Sequence, residues 1–222
     1  MIQIGTRTTV VDKRVRSGPG TAGPHKDDGG RFEPPDDQYQ PEKYRIGIWV
    51  GIVGIMMLFI ALTSAYIVRQ TKGLATAEEW RPIQMPQMLW LNTALILASS
   101  LTLELARRCL KMAYYKAFVR LLILTVLLGF GFLAGQIMAY RQLAAQGIYL
   151  STNPHSSFFY LLTGLHGIHL LGGIMALCYV TIRGLQYSYG PAKRAGVDAA
   201  AIYWHFMDGL WVYLFLLLFF WR

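Results

Sequence analysis

Apolar residues run along this chain in long blocks separated by short polar stretches. Neither the alternation of a half-buried strand nor the narrow stripe of a soluble amphipathic helix is visible. Five blocks reach the roughly 20 residues that a helix needs to cross a bilayer. They lie at about Tyr44–Val68, Met88–Ala106, Leu121–Tyr140, Ser157–Ile182 and Ala200–Trp221. In hydrocarbon the backbone must satisfy its own polar groups, which leaves helices or closed barrels, and a barrel needs short alternating segments. The pattern predicts an all-α integral membrane protein, a five-transmembrane-helix bundle whose short loops make neighbours antiparallel.

Residues 1–43 read differently. They are polar, broken by Ser17-Gly18-Pro19-Gly20, Gly29-Gly30 and Pro34-Pro35, and nearly free of large apolar side chains. Such a segment cannot bury enough surface to offset its ordering entropy. It is predicted to be a disordered cytoplasmic tail, with a docking arm for a partner subunit as the functional alternative. No apolar run precedes residue 44, so the first span is expected to direct insertion itself. Residues 44–222 form the membrane domain.

Composition agrees: 54% of the 222 residues are hydrophobic and 15% charged. The net charge of +9 would suit nucleic acid if it were concentrated in a basic run, but the tail mixes both signs and the excess flanks the spans. Lys43, Arg45, Arg107, Arg108, Lys111, Lys116, Arg120, Arg183, Lys193 and Arg194 fall on one side, and only Arg69, Lys72, Arg81, Arg141 and Arg222 on the other. The positive-inside bias puts the amino end in the cytoplasm and the carboxyl end outside. No nucleic-acid partner is expected. Cys109 and Cys178 fall near inner helix ends with no pairing pattern, as expected of reduced thiols.

The spans carry polar residues that cost about 2.5–3.5 kcal/mol each if charged at bilayer depth. His166 and His169 share one face of the fourth span, and His205 and Asp208 repeat the spacing on the fifth. Antiparallel packing would bring His169 and Asp208 to similar depth, where imidazole and carboxylate could share charge or a proton. Three readings of His166, His169, His205 and Asp208 stand: a buried polar network fixing helix packing, a proton-handling cluster, or a metal or haem site. Elsewhere Asn92-Thr93 and Ser99-Ser100-Leu101-Thr102 suit bonds between helices, as does Gln136 in the third span. Glu104 is placed to pair with Arg108 four residues on. Gly47, Gly51 and Gly54 suit close helix approach in the first span. Trp80, Pro82 and Pro86 mark an interfacial turn, and Asn153-Pro154 a turn before the fourth helix.

Thr163-Gly164-Leu165-His166-Gly167-Ile168-His169 and Trp204-His205-Phe206-Met207-Asp208-Gly209-Leu210-Trp211 resemble the signature stretches of the last two helices in subunit III of the haem-copper terminal oxidases (the cytochrome c oxidase subunit III family). Gly47-Ile48-Trp49 with Ala65-Tyr66, Asn92-Thr93 with Ser99-Ser100, Phe132 to Gln136, and Gly147 to Pro154 add to the likeness, in order, over about residues 44–222. The resemblance implies a non-catalytic subunit that carries neither haem nor copper. It would stabilise a catalytic subunit I, which with subunit II oxidises cytochrome c or a quinol, reduces dioxygen and pumps protons in a bacterial plasma (inner) membrane. Haem and copper are expected in the partner subunits, and lipids as further partners, with phospholipid bound to this chain. Five helices resemble the short bacterial form. One departure stands out: Ile55 occupies a position where the family commonly has a carboxylate, so a proton-antenna role does not carry over to it. Two alternatives remain, an accessory subunit of a nitric oxide reductase system and a self-contained metal-dependent membrane enzyme using the histidines and Asp208. A transporter would show inverted repeats, and none is visible.

Overall fold

A computed structural model of the chain describes residues 41–71, 87–149, 154–187, 189–190 and 194–220. The tail up to residue 40, Trp80, Pro82, Pro86 and Asn153 lie outside the described residues. Five helices follow one another: α1 (Pro41–Thr71), α2 (Met88–Lys111), α3 (Tyr115–Ala145), α4 (Pro154–Leu185) and α5 (Ala195–Phe220). All five are long and apolar enough to cross a membrane. α1 begins at Pro41, inside the segment assigned to the tail, and α3 begins six residues before the predicted Leu121.

The tightest pair is the α2–α3 hairpin. On α2 the buried residues are Leu89, Asn92, Ile96, Ser99, Leu103, Ala106 and Leu110, spaced alternately three and four apart. On α3 Phe118, Leu122, Thr125, Gly129, Phe132, Gln136, Ala139 and Leu143 keep the same rhythm. That is the spacing of a coiled-coil seam, which lets one straight stripe face its partner along the whole length. The connecting turn reverses the chain within Met112–Tyr114. Tyr114 N–H donates to the Cys109 carbonyl at 2.9 Å and Ala113 N–H to Leu110 at 3.2 Å, with Ala113 in the left-handed region at φ 61°. These are the two bonds of a Schellman cap. α3 ends in the same way at Gly147, φ 73°, where Ile148 N–H reaches Leu143 and Gly147 N–H reaches Ala144, both at 3.0 Å.

α5 runs against α2, α4 and α1, while α4 also packs on α3. α1 touches only α4 and α5 among the described residues. Only 17% of its span is buried, against 39% for α4 and for α5, so α1 is an outrigger on the four-helix core. A Cβ placed on Gly47, Gly51 or Gly54 would meet no neighbouring helix within 4 Å. The close approaches occur instead at Gly129, Gly135 and Gly173, all inside the core.

Candidate functional site

The signature residues of α5 are used chiefly to fasten that helix to its neighbours. Trp204, Asp208 and Trp211 recur at four and three residues, so they share the buried face. The Trp204 ring fits where side chains are missing. A Cβ on Gly129 would lie 2.9 Å from its Cη2, and one on Gly173 would lie 3.2 Å from its Cε3. Its Nε1–H donates to Ser99 Oγ at 3.0 Å. Two turns further along, Trp211 Nε1–H donates to Thr93 Oγ1 at 3.1 Å. The Trp211 ring meets Phe132 edge-on, with centroids 4.7 Å apart.

The hydroxyl-bearing stretch of α2 supplies most of these partners. Ser100 Oγ and His205 Nδ1 share a hydrogen bond of 2.6 Å. Thr102 and Thr125 bond hydroxyl to hydroxyl at 2.9 Å, tying α2 to α3. Asn92 Nδ2–H donates to Gln136 Oε1 at 3.2 Å, also between α2 and α3. Gly135 makes room for that amide, since a Cβ there would sit 2.0 Å from Asn92 Oδ1.

His166, His169, His205 and Asp208 are not bonded to one another. His169 Nδ1–H donates to the Leu165 carbonyl at 2.8 Å within α4, and its ring faces Phe59 of α1 at 5.9 Å. Tyr203 O–H donates to the His169 backbone carbonyl at 3.0 Å, linking α5 to α4. His166 is fully buried between Phe132 and Trp211, at centroid distances of 6.0 and 5.3 Å. Neither of its ring nitrogens has a hydrogen bond among the described residues. Asp208 is buried within reach of the Ser100 hydroxyl, yet its carboxylate makes no hydrogen bond of regular geometry. The expected sharing of a proton between His169 and Asp208 therefore gives way to separate local arrangements. Equal depth says nothing of rotation about the helix axis, and the two side chains face different neighbours. Nor do the four converge as ligands. Among the described residues no three His, Cys, Asp or Glu side chains are grouped to hold an ion.

A second polar assembly closes the basic end of the bundle. Glu104 pairs with Arg107 at 2.8 Å and with Arg108 at 3.4 Å. Arg107 also grips Asp198 of α5 through Nη2 at 2.8 Å and Nε at 3.0 Å, and Arg194 reaches Asp198 at 3.4 Å. His205 Nε2 lies 4.0 Å from Glu104, so this ionic cluster and Ser100 meet on one imidazole. Sequence reasoning placed the Glu104–Arg108 pair but not the role of Arg107 or Asp198. The available signal was that both lie at the basic end, on helices that run antiparallel. Cys109 and Cys178 are free thiols, both partly buried.

Five membrane-length helices fastened by hydroxyls, indoles and one ionic cluster define a multi-pass helical membrane protein. Its sequence matches the family profile described as "Cytochrome c oxidase subunit III" over residues 37–222, which takes in all five helices. The chain belongs to the cytochrome c oxidase subunit III family. It is similar to the "Probable cytochrome c oxidase subunit 3" of Nocardia farcinica (strain IFM 10152), 29% identical over 186 residues, covering 82% of this chain and 90% of that one. It is also similar to "Cytochrome c oxidase subunit 3" of Gallus gallus, 33% identical over 141 residues, covering 64% of this chain and 53% of that one. A third relative of the same name, from Squalus acanthias, is 37% identical over 143 residues, covering 63% and 51%. The chain thus spans about half the length of these vertebrate relatives and most of the Nocardia one.

Proposed function

We propose that this chain is the non-catalytic third subunit of a haem-copper respiratory oxidase in a bacterial plasma membrane, where it steadies the catalytic subunit while that subunit reduces dioxygen and pumps protons. Haem and copper would reside in the partner subunits I and II, with cytochrome c or a quinol as electron donor. The observation that carries this reading is the employment of the family signature. Trp204 and Trp211 each donate to a hydroxyl on α2, and His205 pairs with Ser100, so these side chains build a rigid bundle. A metal-dependent enzyme would need donors that converge, whereas His169 faces Phe59, His166 lies against Phe132 and His205 is bonded to Ser100.

The orientation follows from the cations at the α2–α3 turn and the end of α4, which the positive-inside rule assigns to the cytoplasm. In a background lacking Cys109 and Cys178, Met112→Cys, on the exposed α2–α3 turn, is expected to react with a membrane-impermeant maleimide in inside-out vesicles only. Labelling in intact cells would reverse the topology. The function is tested by affinity purification in mild detergent. Oxidase subunits I and II and their haem spectrum are expected to accompany the chain. Isolation with a nitric oxide reductase instead, or alone with a stoichiometric redox metal, would overturn the proposal.

A further inference from the structure

α5 packs on both α1 and α2, yet those two helices do not touch each other among the described residues. A trough therefore runs between them with α5 as its floor. Successive residues turn by about 100° around a helix, which fixes the side of α5 that lines it. Trp204 points into the core, to Ser99. His205 turns from it toward Ser100 of α2. Tyr203 turns the other way, to the carbonyl of His169, whose ring faces Phe59 of α1. Gly209, Tyr213 and Leu216 fall roughly 120–180° from Trp204, and all three are exposed. A Cβ on Gly209 would have nothing within 4 Å. Leu97 and Leu101, flanking Ser100 on α2, are exposed as well.

Apolar walls alone would suit acyl chains, but the basic half of the trough is polar. The side chains of His205 and Glu104 are 35% and 32% exposed there. Their 4.0 Å separation is too long for a hydrogen bond, so His205 Nε2 is left open to the trough while Nδ1 is engaged by Ser100. The depth of this imidazole decides what can cover it. α5 has 26 residues and starts at Ala195, which puts His205 about 15 Å along a helix of about 39 Å. The hydrocarbon layer is about 30 Å thick, so the imidazole lies about 10 Å inside it. Acyl chains have no hydrogen-bonding group to offer at that level, and a phosphate headgroup stays at the edge of the layer. Polar side chains at such depth face protein or pair with one another.

An occupant must therefore be apolar against Leu97, Leu101 and Tyr213 and must carry a polar group opposite His205. A spanning helix with one hydroxyl, carboxamide or carboxylate side chain meets both conditions. Spanning helices come close where residues are small, and polar side chains bond them across the contact; Gly209 supplies the first and His205 the second. We propose that this trough seats one spanning helix of the catalytic subunit, crossing at Gly209 with its polar side chain on His205. The identity of the partner rests on the function proposed above. The position of the contact rests on the α1–α5–α2 geometry alone.

The test is photocrosslinking in native membranes, with p-benzoylphenylalanine in place of the exposed Tyr213 and the adduct identified by mass spectrometry. The expected adduct is a spanning peptide of the catalytic subunit with a polar side chain about two turns nearer the basic end, the offset of His205 from Tyr213. An adduct with lipid alone, with a second copy of this chain, or with a wholly apolar peptide would overturn the site. In a second arm, Gly209→Leu fills the floor of the trough where a side chain has open space. It should keep wild-type melting by circular dichroism and lower the haem recovered per chain about ten-fold. Gly172→Leu, in open space on α4, should keep full recovery. Unchanged haem with Gly209→Leu, or an equal loss with Gly172→Leu, would count against the trough. Should Gly209→Leu not fold, the crosslink decides. The two readings fail separately: wild-type chain that copurifies with the oxidase core but gives no such adduct sinks this contact alone, whereas wild-type chain recovered without the core sinks both.

Discussion

Trp204 shows which force holds this bundle together. Lipid is as apolar as leucine, so burial against a neighbouring helix gains little by solvent exclusion, and packing with interhelical hydrogen bonds must serve instead. A hydrogen bond of this kind is worth about 0.6 kcal/mol on average, whereas a large ring in close contact gathers dozens of attractions of about 0.1–0.2 kcal/mol each. Packing wins, and the bond to Ser99 mainly sets the rotation of the indole. The same contrast governs the glycines. Gly135→Ala would drive a methyl into Asn92 and break its bond to Gln136. It should destabilise the bundle by about 1–3 kcal/mol in detergent unfolding. Gly51→Ala, with open space around it, should change the stability of the isolated chain by about 0.5 kcal/mol or less.

The helices themselves were plain in the pattern of apolar blocks, but their ends were not. α3 starts at Tyr115 because hydropathy registers only the hydrocarbon layer, while backbone bonding carries the helix on through Lys116 and Arg120. The turn before it exposes a strained choice of residue. Ala113 and Gly147 occupy the same position of the same cap, both with positive φ, and only glycine adopts it without a Cβ penalty of about 1–2 kcal/mol. Ala113→Gly should therefore stabilise the hairpin by about 0.5–1 kcal/mol after the entropy of the unfolded chain is counted. Gly147→Ala should cost a similar amount, both read from reversible unfolding in mixed micelles. Nothing in the sequence announced Ala113, because a Schellman cap without glycine lacks its usual marker.

Across the whole molecule, Arg107 joins α2 to α5 at the basic end through Asp198. With side-chain exposures of 22% and 29%, the pair falls between the 0–1 kcal/mol of exposed pairs and the roughly 3–5 kcal/mol lost when a buried one is broken. A double-mutant cycle with Arg107→Met and Asp198→Asn should give a coupling near 1 kcal/mol. Zero coupling would mean that the ends are held by packing alone. At this scale the site was half legible. His205 and Asp208 do lie on the helix that binds α2, and Ser100, from the stretch suited to bonds between helices, does bond His205, but the approach of Glu104 to that imidazole was not legible. Spacing reveals which residues share a helix face, and leaves open which other helix that face will meet.

The placement of α1 also bears on how the protein is made. α1 precedes the α2–α3 hairpin in the chain, yet among the described residues it touches only α4 and α5, which are synthesised after that hairpin. It must wait in the bilayer, without a seat, until α4 and α5 follow, while the α2–α3 hairpin can close as soon as it emerges. A message cut short before α5 would strand its own first span.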